Sequence, residues 1–582
     1  MLIKTVACLF LGSTVLAQRT TTSDPYAVTG ARVRSGSVPI RRNINDLQAE
    51  AGPQWDLYIQ ALSSMIGASP SDPLSYFQIE GIHGSPPFEW NNTGRSNSSG
   101  RAGYCPHGDA LFLPWHRPYL ALFEQVLVDN ARKIAAGYRG ATRNRYLQAA
   151  DALRAPYWDW ATTSDVPPST VPRSVTINTP KGRRQVRNPL SGFTFPQQAV
   201  RGQFGRFSPS PRAAIARCPA PNSYPNSANR MMASNDLKEL VFSAFTYSKT
   251  FEEFSTTSTG GVSLEQAHNL VHNSAACGQQ FSSPSYAAYD PLFMLHYANV
   301  DRLWALWQAA NPNQAGLSRS YVGGSRFATP QGTTIRPTSP LAPFYGPGKQ
   351  QLTANGVLST HQFGYTDPNP DKDLEERRRR AVSIINDLYK GKDHEEKRKV
   401  YLAHISLRAE DVERPSTIKV FLCDQFVGDI AVMAEPSKGP VNAAIPLNPA
   451  IGACERAGVS KEEMRESISV TITTADGRDV PLAKIKTISM EVEDFIEEPS
   501  ATSGELPKIS NRHKVPGHLK QHMPEKPKDG GHGKDDGGKS GGHVDDGGKP
   551  GGHVVDAGKP GGHGIISDVL GSVKSDLVPN LI

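Results

Sequence analysis

The chain has 582 residues, 38% of them hydrophobic, and a formal net charge of +7. That length holds two or three domains with cores of their own. The surplus of positive charge is spread along the chain instead of being gathered, so nucleic acid is not an expected partner.

The chain opens on Lys4, an apolar stretch from Val6 to Leu16, and Val15-Leu16-Ala17 before Gln18. This reads as a secretory leader over residues 1–17, cut after Ala17. The stretch is too short to anchor in a bilayer, and no other segment is long and apolar enough to do so. The expectation is a secreted protein with no membrane partner. Asn91-Asn92-Thr93 and Asn97-Ser98-Ser99 are acceptor sequons in a polar, Gly-rich loop.

Residues 18–370 read as a mainly α domain, after a loose lead-in to about Ile40. Helical segments are joined by long Pro/Gly/Ser-rich loops such as Thr163–Pro211, Asn311–Thr329 and Pro337–Gly348. Loops of that length are unusual in a compact domain unless they are functional or well packed. The domain holds six histidines in two groups. The first reads Ile82-His83-Gly84, Cys105-Pro106-His107 and Leu113-Pro114-Trp115-His116-Arg117-Pro118-Tyr119. The second reads Glu265-Gln266-Ala267-His268-Asn269-Leu270-Val271-His272, then Asp290-Pro291-Leu292-Phe293-Met294-Leu295-His296, then Asn299-Val300-Asp301-Arg302.

Three neutral imidazoles per ion, without thiolate or carboxylate partners, suit copper or zinc, and two such groups point to a metal pair. His268 and His272 are four apart and share one face of a helix. His296 follows Asp290 as N-cap and Pro291 at N1, in a helix expected to run to about Trp307. His116 opens a helix expected from Tyr119 to about Ile134, while His83 and His107 read as loop residues. The predicted site is therefore a helix bundle presenting imidazoles inward.

Residues 371–400 form a charged linker containing Arg377-Arg378-Arg379-Arg380. A charge run is ordinarily a solvated surface; in an exported chain it also suits a processing protease. Residues 401–498 read as a β-sandwich of about seven strands, with segments at Ser416–Leu422, Ser467–Thr473 and Ile485–Val492 and a turn at Thr474-Ala475-Asp476-Gly477. Residues 499–582 read as a disordered low-complexity tail with approximate repeats ending in His532, His543, His553 and His563. Imidazoles spaced along glycine can gather copper, or the segment is a plain spacer.

The histidine frames and their flanking residues closely resemble the tyrosinase, catechol oxidase and haemocyanin family of type-3 copper proteins, over roughly residues 40–310. Arg41-Arg42-Asn43-Ile44 and the C-terminal extension are similar to the fungal branch, and Phe363-Gly364-Tyr365 looks like the motif that closes the family's core domain. The usual second tyrosine of that motif is Asp367 here.

The resemblance implies that His83, His107 and His116 hold one copper ion and His268, His272 and His296 a second, with O2 as co-substrate. It implies a thioether from Cys105 to His107; among the remaining cysteines, Cys218–Cys277 and Cys423–Cys454 are then the economical disulfides. Glu265 matches a glutamate that holds a water near the metals, and Asn269 the neighbour that helps that water act as general base on a phenol. Phe281, Ser282 and Ser283 correspond to the stretch that borders the entrance. Tyr297 stands where the family usually has a second, non-ligand histidine, so it borders the substrate pocket. Asp301 and Arg302 are expected to tie helices together.

The activity implied is ortho-hydroxylation of monophenols and oxidation of o-diphenols to o-quinones, feeding melanin-type pigment or cross-linking. The enzyme would be made as a latent precursor, with a C-terminal domain shielding the site through an aromatic residue (Tyr401, Phe421, Phe426 or Phe495). Glu265 with Asn269 favours hydroxylase activity. Tyr297 leaves open a catechol or o-aminophenol oxidase, and a permanent plug would leave a non-catalytic oxygen- or copper-binding protein. A zinc hydrolase gives no reason for Cys105 beside a ligand. The partners implied are a small phenol and a processing protease; no oligomeric state is implied.

Overall fold

Helix Phe112–Ala135 is the central element. Leu113, Leu120, Phe123 and Leu127 recur at helical spacing and are all buried, each contributing about 1.5–3 kcal/mol by leaving water. The helix packs against Pro53–Gly67, Gly140–Ala152 and Leu292–Ala310. Leu264–Ser274 lies against Leu237–Tyr247 and Asn226–Ala233. This computed structural model describes residues 24–34, 36–96, 103–366 and 373–523. The leader at 1–17, the sequon at Asn97 and the repeats at His532, His543, His553 and His563 lie outside the described residues.

Three local readings shift. The helix expected from Tyr119 starts at Phe112, because Pro118 is an interior residue of the helix and not its first turn. Having no N–H, Pro118 leaves the Pro114 carbonyl without its usual donor. His83 is the last residue of helix Tyr76–His83, capped by Ser75 Oγ, which accepts from Gln78 N at 3.2 Å; eight residues are too few to show a period. Helix Leu292–Ala310 begins one residue later than read, although Asp290 Oδ1 still accepts from Leu292 N at 2.9 Å.

The expected linker is an ordered helix, Leu374–Tyr389. Asp373 caps it, and Ala381, Val382, Ile384, Ile385 and Tyr389 are buried. It packs on Leu292–Ala310 and Leu237–Tyr247. Arg377–Arg380 lie within it, so a protease that needs an extended backbone meets a helix there.

The C-terminal domain is a sandwich of two four-stranded sheets. Numbered within that domain, its strands are β1 (Arg398–Arg408), β2 (Ser416–Leu422), β3 (Gln425–Val432), β4 (Pro440–Pro446), β5 (Ile468–Thr474), β6 (Ser489–Glu498), β7 (Lys508–Gly517) and β8 (Lys520–Gln521). One sheet has the order β4-β1-β6-β7 and the other β8-β5-β2-β3. Alternate residues such as Ile405, Leu407, Ile418, Val420, Ile468, Val470 and Ile472 fill the space between them. The domain runs past Glu498 to Gln521. Its edge strand β7 is largely polar and is recruited by backbone pairing to β6, from Glu498↔Lys508 to Met490↔Gly517; hydrophobic patterning therefore missed it.

Cysteines 218 and 277, and 423 and 454, form disulfides. The Asn91 sequon is not available for a glycan in this fold. Asn91 Nδ2 donates to Tyr26 O at 3.0 Å and to Pro343 O at 3.1 Å, so both amide hydrogens are in use.

Two buried charge clusters hold the elements in register. Asp301 accepts from Arg117 Nε and Arg41 Nη1, both at 2.6 Å, and from the Tyr365 hydroxyl. Burial raises the Asp301 pKa, but the two guanidiniums outweigh it and hold it below the usual range. The second cluster joins the domains. His394 lies 2.7 Å from both Glu239 and Glu497, and Tyr247 donates to Glu497 at 2.5 Å. Burial lowers the His394 pKa, yet the two carboxylates outweigh it and hold it above the ordinary imidazole value. Burial raises Glu497, and His394 outweighs that and holds it low.

Asp301→Asn leaves two buried guanidiniums short of their anion and is expected to cost about 3–5 kcal/mol, read as a lower denaturation midpoint. For His394 the signs oppose. Its contribution is complete below the unfolded imidazole pKa and is lost as pH rises through the raised folded value, whereas that of Glu497 is lost as pH falls through its depressed value. The stability difference between the protein and His394→Gln is therefore expected to peak at mildly acidic pH and shrink on both sides, measured as unfolding midpoints across a pH series.

Candidate metal centre

Four helices and one loop deliver the imidazoles: His83 from Tyr76–His83, His116 from Phe112–Ala135, His268 and His272 from Leu264–Ser274, His296 from Leu292–Ala310, and His107 from the loop before Phe112. Gly84 lets the first helix end against the neighbouring chain, since a Cβ there would lie 2.4 Å from Ser285 O. All six rings are buried. They form two triangles. Ring centroids of His83, His107 and His116 are 5.3–5.4 Å apart, and those of His268, His272 and His296 are 4.5–4.9 Å apart. His107 and His268 face each other across the gap at 5.7 Å.

The protein sets which nitrogen faces inward. Nδ1 of His83, His116 and His272 lies 2.8, 2.7 and 2.8 Å from the carbonyls of Pro284, Phe112 and Phe281. Nδ1 of His268 lies 2.9 Å from Asn269 Oδ1. A proton on each Nδ1 leaves the Nε2 lone pair for a metal, the usual arrangement of outer partners around ligating histidines. Burial, with the neighbouring imidazoles, drives the pKa of His268 and His296 well below the ordinary value, and burial brings His272 to about 4. These rings are neutral at neutral pH and so able to donate to a metal.

His296 supplies the test of fit. It is wholly buried, and neither ring nitrogen has a hydrogen-bond partner among the described residues. A buried polar group without a partner calls for an explanation, and a metal ion gives one, because the donors of His268, His272 and His296 all lie within 4.8 Å of one another. In the first set the donors of His83 and His107 share that distance with the sulfur of Cys105, which lies 3.6 Å from His107 Nδ1 and outside both disulfides. A thiol thus stands beside His107, at the position the sequence reading gave to Cys105. The two sets fit a pair of copper ions.

Glu265 and Asn269 are both buried, on the His268 helix. Asn269 orients His268. Glu265 accepts from Gly108 N at 2.7 Å through one oxygen, and from Thr256 Oγ1, Thr257 N and Thr257 Oγ1 at 2.8–3.1 Å through the other. It ties the His107 loop to the His268 helix, and burial raises its pKa against those four donors. Phe281 lies against His272, with ring centroids 4.6 Å apart. The Ser282 hydroxyl turns away to Gln279 O, and Ser283 is half-buried.

Tyr297 is buried, and its hydroxyl lies 3.1 Å from His107 Nε2 and 2.8 Å from His268 Nε2. Phe112 and Phe293, which the sequence reading left out, wall the same space. Phe112 packs 4.7 Å from His268 and Phe293 4.8 Å from His83. Their positions, four and three residues before a histidine on the same helix, were the signal available.

The C-terminal domain reaches this region through Glu435–Gly439, which, with Asp109, Tyr321 and Arg408, lines a cavity of about 310 Å³ beside His107. Pro436 packs over Gly108, whose Cβ position would be 2.9 Å from its ring. The aromatic residues considered for this role lie elsewhere. Phe421 stacks on His522 and also contacts Phe426, Phe495 packs on Tyr247, and Tyr401 lines a cavity within the sandwich.

Metal analysis of copper-loaded protein is expected to give two ions per chain, and His296→Ala one. Copper at a hundredfold excess over its dissociation constant adds about 2.7 kcal/mol of stability, read as a higher melting temperature than that of the chelated protein.

Residues 73–310 match the model for the common central domain of tyrosinase. Tyrosinases of Neurospora crassa and Podospora anserina are each 34% identical over 60% of this chain, covering 55% and 65% of their own lengths. The chain thus spans less than two thirds of these curated relatives. A haemocyanin of Megathura crenulata is 28% identical over 46% of this chain and 6% of its own. Among solved structures, recombinant mushroom tyrosinase superposes with a TM-score of 0.71 at 22% identity, over 86% of this chain and all of that one. An Aspergillus oryzae pro-tyrosinase superposes at 0.69 and 21% identity, over 86% of this chain and 99% of that one. What the chain shares with these proteins is thus a central segment, residues 73–310, that matches the common central domain of tyrosinase, and the fold of the mushroom and Aspergillus oryzae enzymes.

Proposed function

We propose that the chain is a copper-dependent phenol oxidase that uses O2 to hydroxylate monophenols and to oxidise o-diphenols to o-quinones, and that it is made in a latent form. The observation that carries the reading is the pair of facing imidazole triangles, with His296 buried and otherwise unpartnered. Copper, when bound, supplies O2 activation and the two-electron oxidation. The chain's own work is to hold six neutral imidazoles, to exclude water with Phe112, Phe281 and Phe293, and to manage the phenol's proton.

Glu265 and Asn269 carry that last task in this reading, and the C-terminal domain governs it. Asn442 in β4 donates to Thr257 O through its backbone N at 2.8 Å and its side chain at 2.9 Å. Thr257 in turn gives its N–H and hydroxyl to Glu265. Gln266 makes two hydrogen bonds with the Ala444 backbone, at 2.9 and 3.1 Å. Latency thus has two parts: Pro436 over the His107 loop, and a grip on the turn that saturates Glu265. Removing the domain opens the pocket and frees a carboxylate oxygen to accept the substrate's proton.

The leader at 1–17 places the chain in the secretory pathway. A protease acting near the Arg377–Arg380 helix matures it, and a glycan is borne at Asn97. Cys105 bonds through sulfur to an imidazole carbon of His107, the two hydrogens leaving as protons and the two electrons passing to O2. Tyr297 in the gap and Phe281 against His272 favour a second reading, a narrower catechol or o-aminophenol oxidase.

Oxygen uptake by copper-loaded protein, before and after limited proteolysis, separates these readings. Uptake on both a monophenol and a catechol, rising after trimming, is the expected result; uptake on catechol alone supports the narrower oxidase. No uptake with two coppers bound overturns both in favour of an oxygen- or copper-binding protein. Asn442→Ala removes one hydrogen bond of the grip, about 1 kcal/mol, and is expected to raise uptake by the untrimmed protein roughly fivefold.

A further inference from the structure

We propose that Tyr297 is itself part of the metal centre: its phenol oxygen is a further donor, shared between the two imidazole sets. The inference rests on the reading that the six histidines hold copper.

Three observations carry it. The first is position. The hydroxyl is 2.8 Å from His268 Nε2 and 3.1 Å from His107 Nε2, one nitrogen from each triangle. On the far side of those rings, His268 Nδ1 meets Asn269 Oδ1 and His107 Nδ1 meets the Cys105 sulfur. Nε2 is therefore the inward nitrogen of both rings. Without metal, a hydrogen-bonded line through the phenol can satisfy both. The phenol oxygen and the two Nε2 atoms that would hold the ions thus lie on the same side of the rings.

The second is confinement. The Tyr297 ring stacks on His116 with centroids 4.3 Å apart and planes inclined by 24°, and it packs on Phe293 at 4.3 Å. It is 1% exposed. Side chains in close-packed interiors have no spare volume to swing into, so the hydroxyl cannot leave the gap unless His116 or Phe293 moves.

The third is chemical. Tyr297 presents to the centre the functional group that the proposed substrates carry. It is a resident competitor for an incoming phenol. Oxygen donors beside imidazole suit Cu(II).

The test uses full-length Cu(II)-loaded protein, with and without ring-deuterated tyrosine, and Tyr297→Phe. Copper per chain is measured alongside resonance Raman spectra excited in the visible absorption. The expected result is two coppers per chain in both proteins, with tyrosine ring modes in the unmodified protein that shift on deuteration and vanish in Tyr297→Phe. Two coppers with no tyrosine modes, or modes that persist in Tyr297→Phe, overturn the proposal and leave the copper reading intact. A chain that takes up no copper overturns the reading beneath it and the proposal together. Should Tyr297→Phe fail to fold, the presence or absence of the deuterium shift in the unmodified protein decides.

Discussion

Asp301 sets the register of the metal centre. Its carboxylate joins Arg117, the residue after His116, to a helix that carries His296 five residues earlier, and it also takes Arg41 and Tyr365. Two imidazole-bearing helices, the N-terminal segment and the end of the helical domain therefore meet at one buried anion. Burying these charges is costly, and the cost is offset only by close geometry and full pairing. That geometry fixes where His116 and His296 stand relative to each other. The Arg117 guanidinium also lies 3.7 Å over the Trp304 ring, so the pairing is enclosed by packing.

Around that framework four of the six imidazoles are turned by a contact outside the histidine set. Pro284, Phe112 and Phe281 use backbone carbonyls, and Asn269 uses its side chain. A carbonyl aims one Nδ1–H and in doing so presents one Nε2 lone pair. Glu265 does the corresponding work for the backbone, holding Gly108 beside His107 to the helix of His268. The centre is thus prepared before a metal arrives, and Tyr297 stands in the middle of it.

The C-terminal sandwich is joined to this centre by polar contacts of defined partners. Asn442 and Ala444 bond the turn and the helix around Glu265, and His394 bridges Glu239 and Glu497. Such contacts are directional and satisfied only in one docking geometry.

Much was legible along the chain because it is local. Four-residue spacing put His268 and His272 on one helical face, and alternation marked β2 and β5. The chemistry of six imidazoles in two frames was legible for the same reason: residue type and near neighbours decide donor strength. Long-range pairing decided the rest. Strand β7 exists because β6 offers it a backbone edge. The arginine run became a helix because Ile384, Ile385 and Tyr389 found a core on Leu292–Ala310. Pro436, and none of the expected aromatics, reached the His107 loop because sheet topology delivers that segment there. The partners of Glu265 and the place of the Tyr297 hydroxyl depend on residues up to 190 positions away. Sequence by itself determined which groups could bind metal; tertiary structure decided which way each points and what stands between them, because orientation is set by contacts with no local signature.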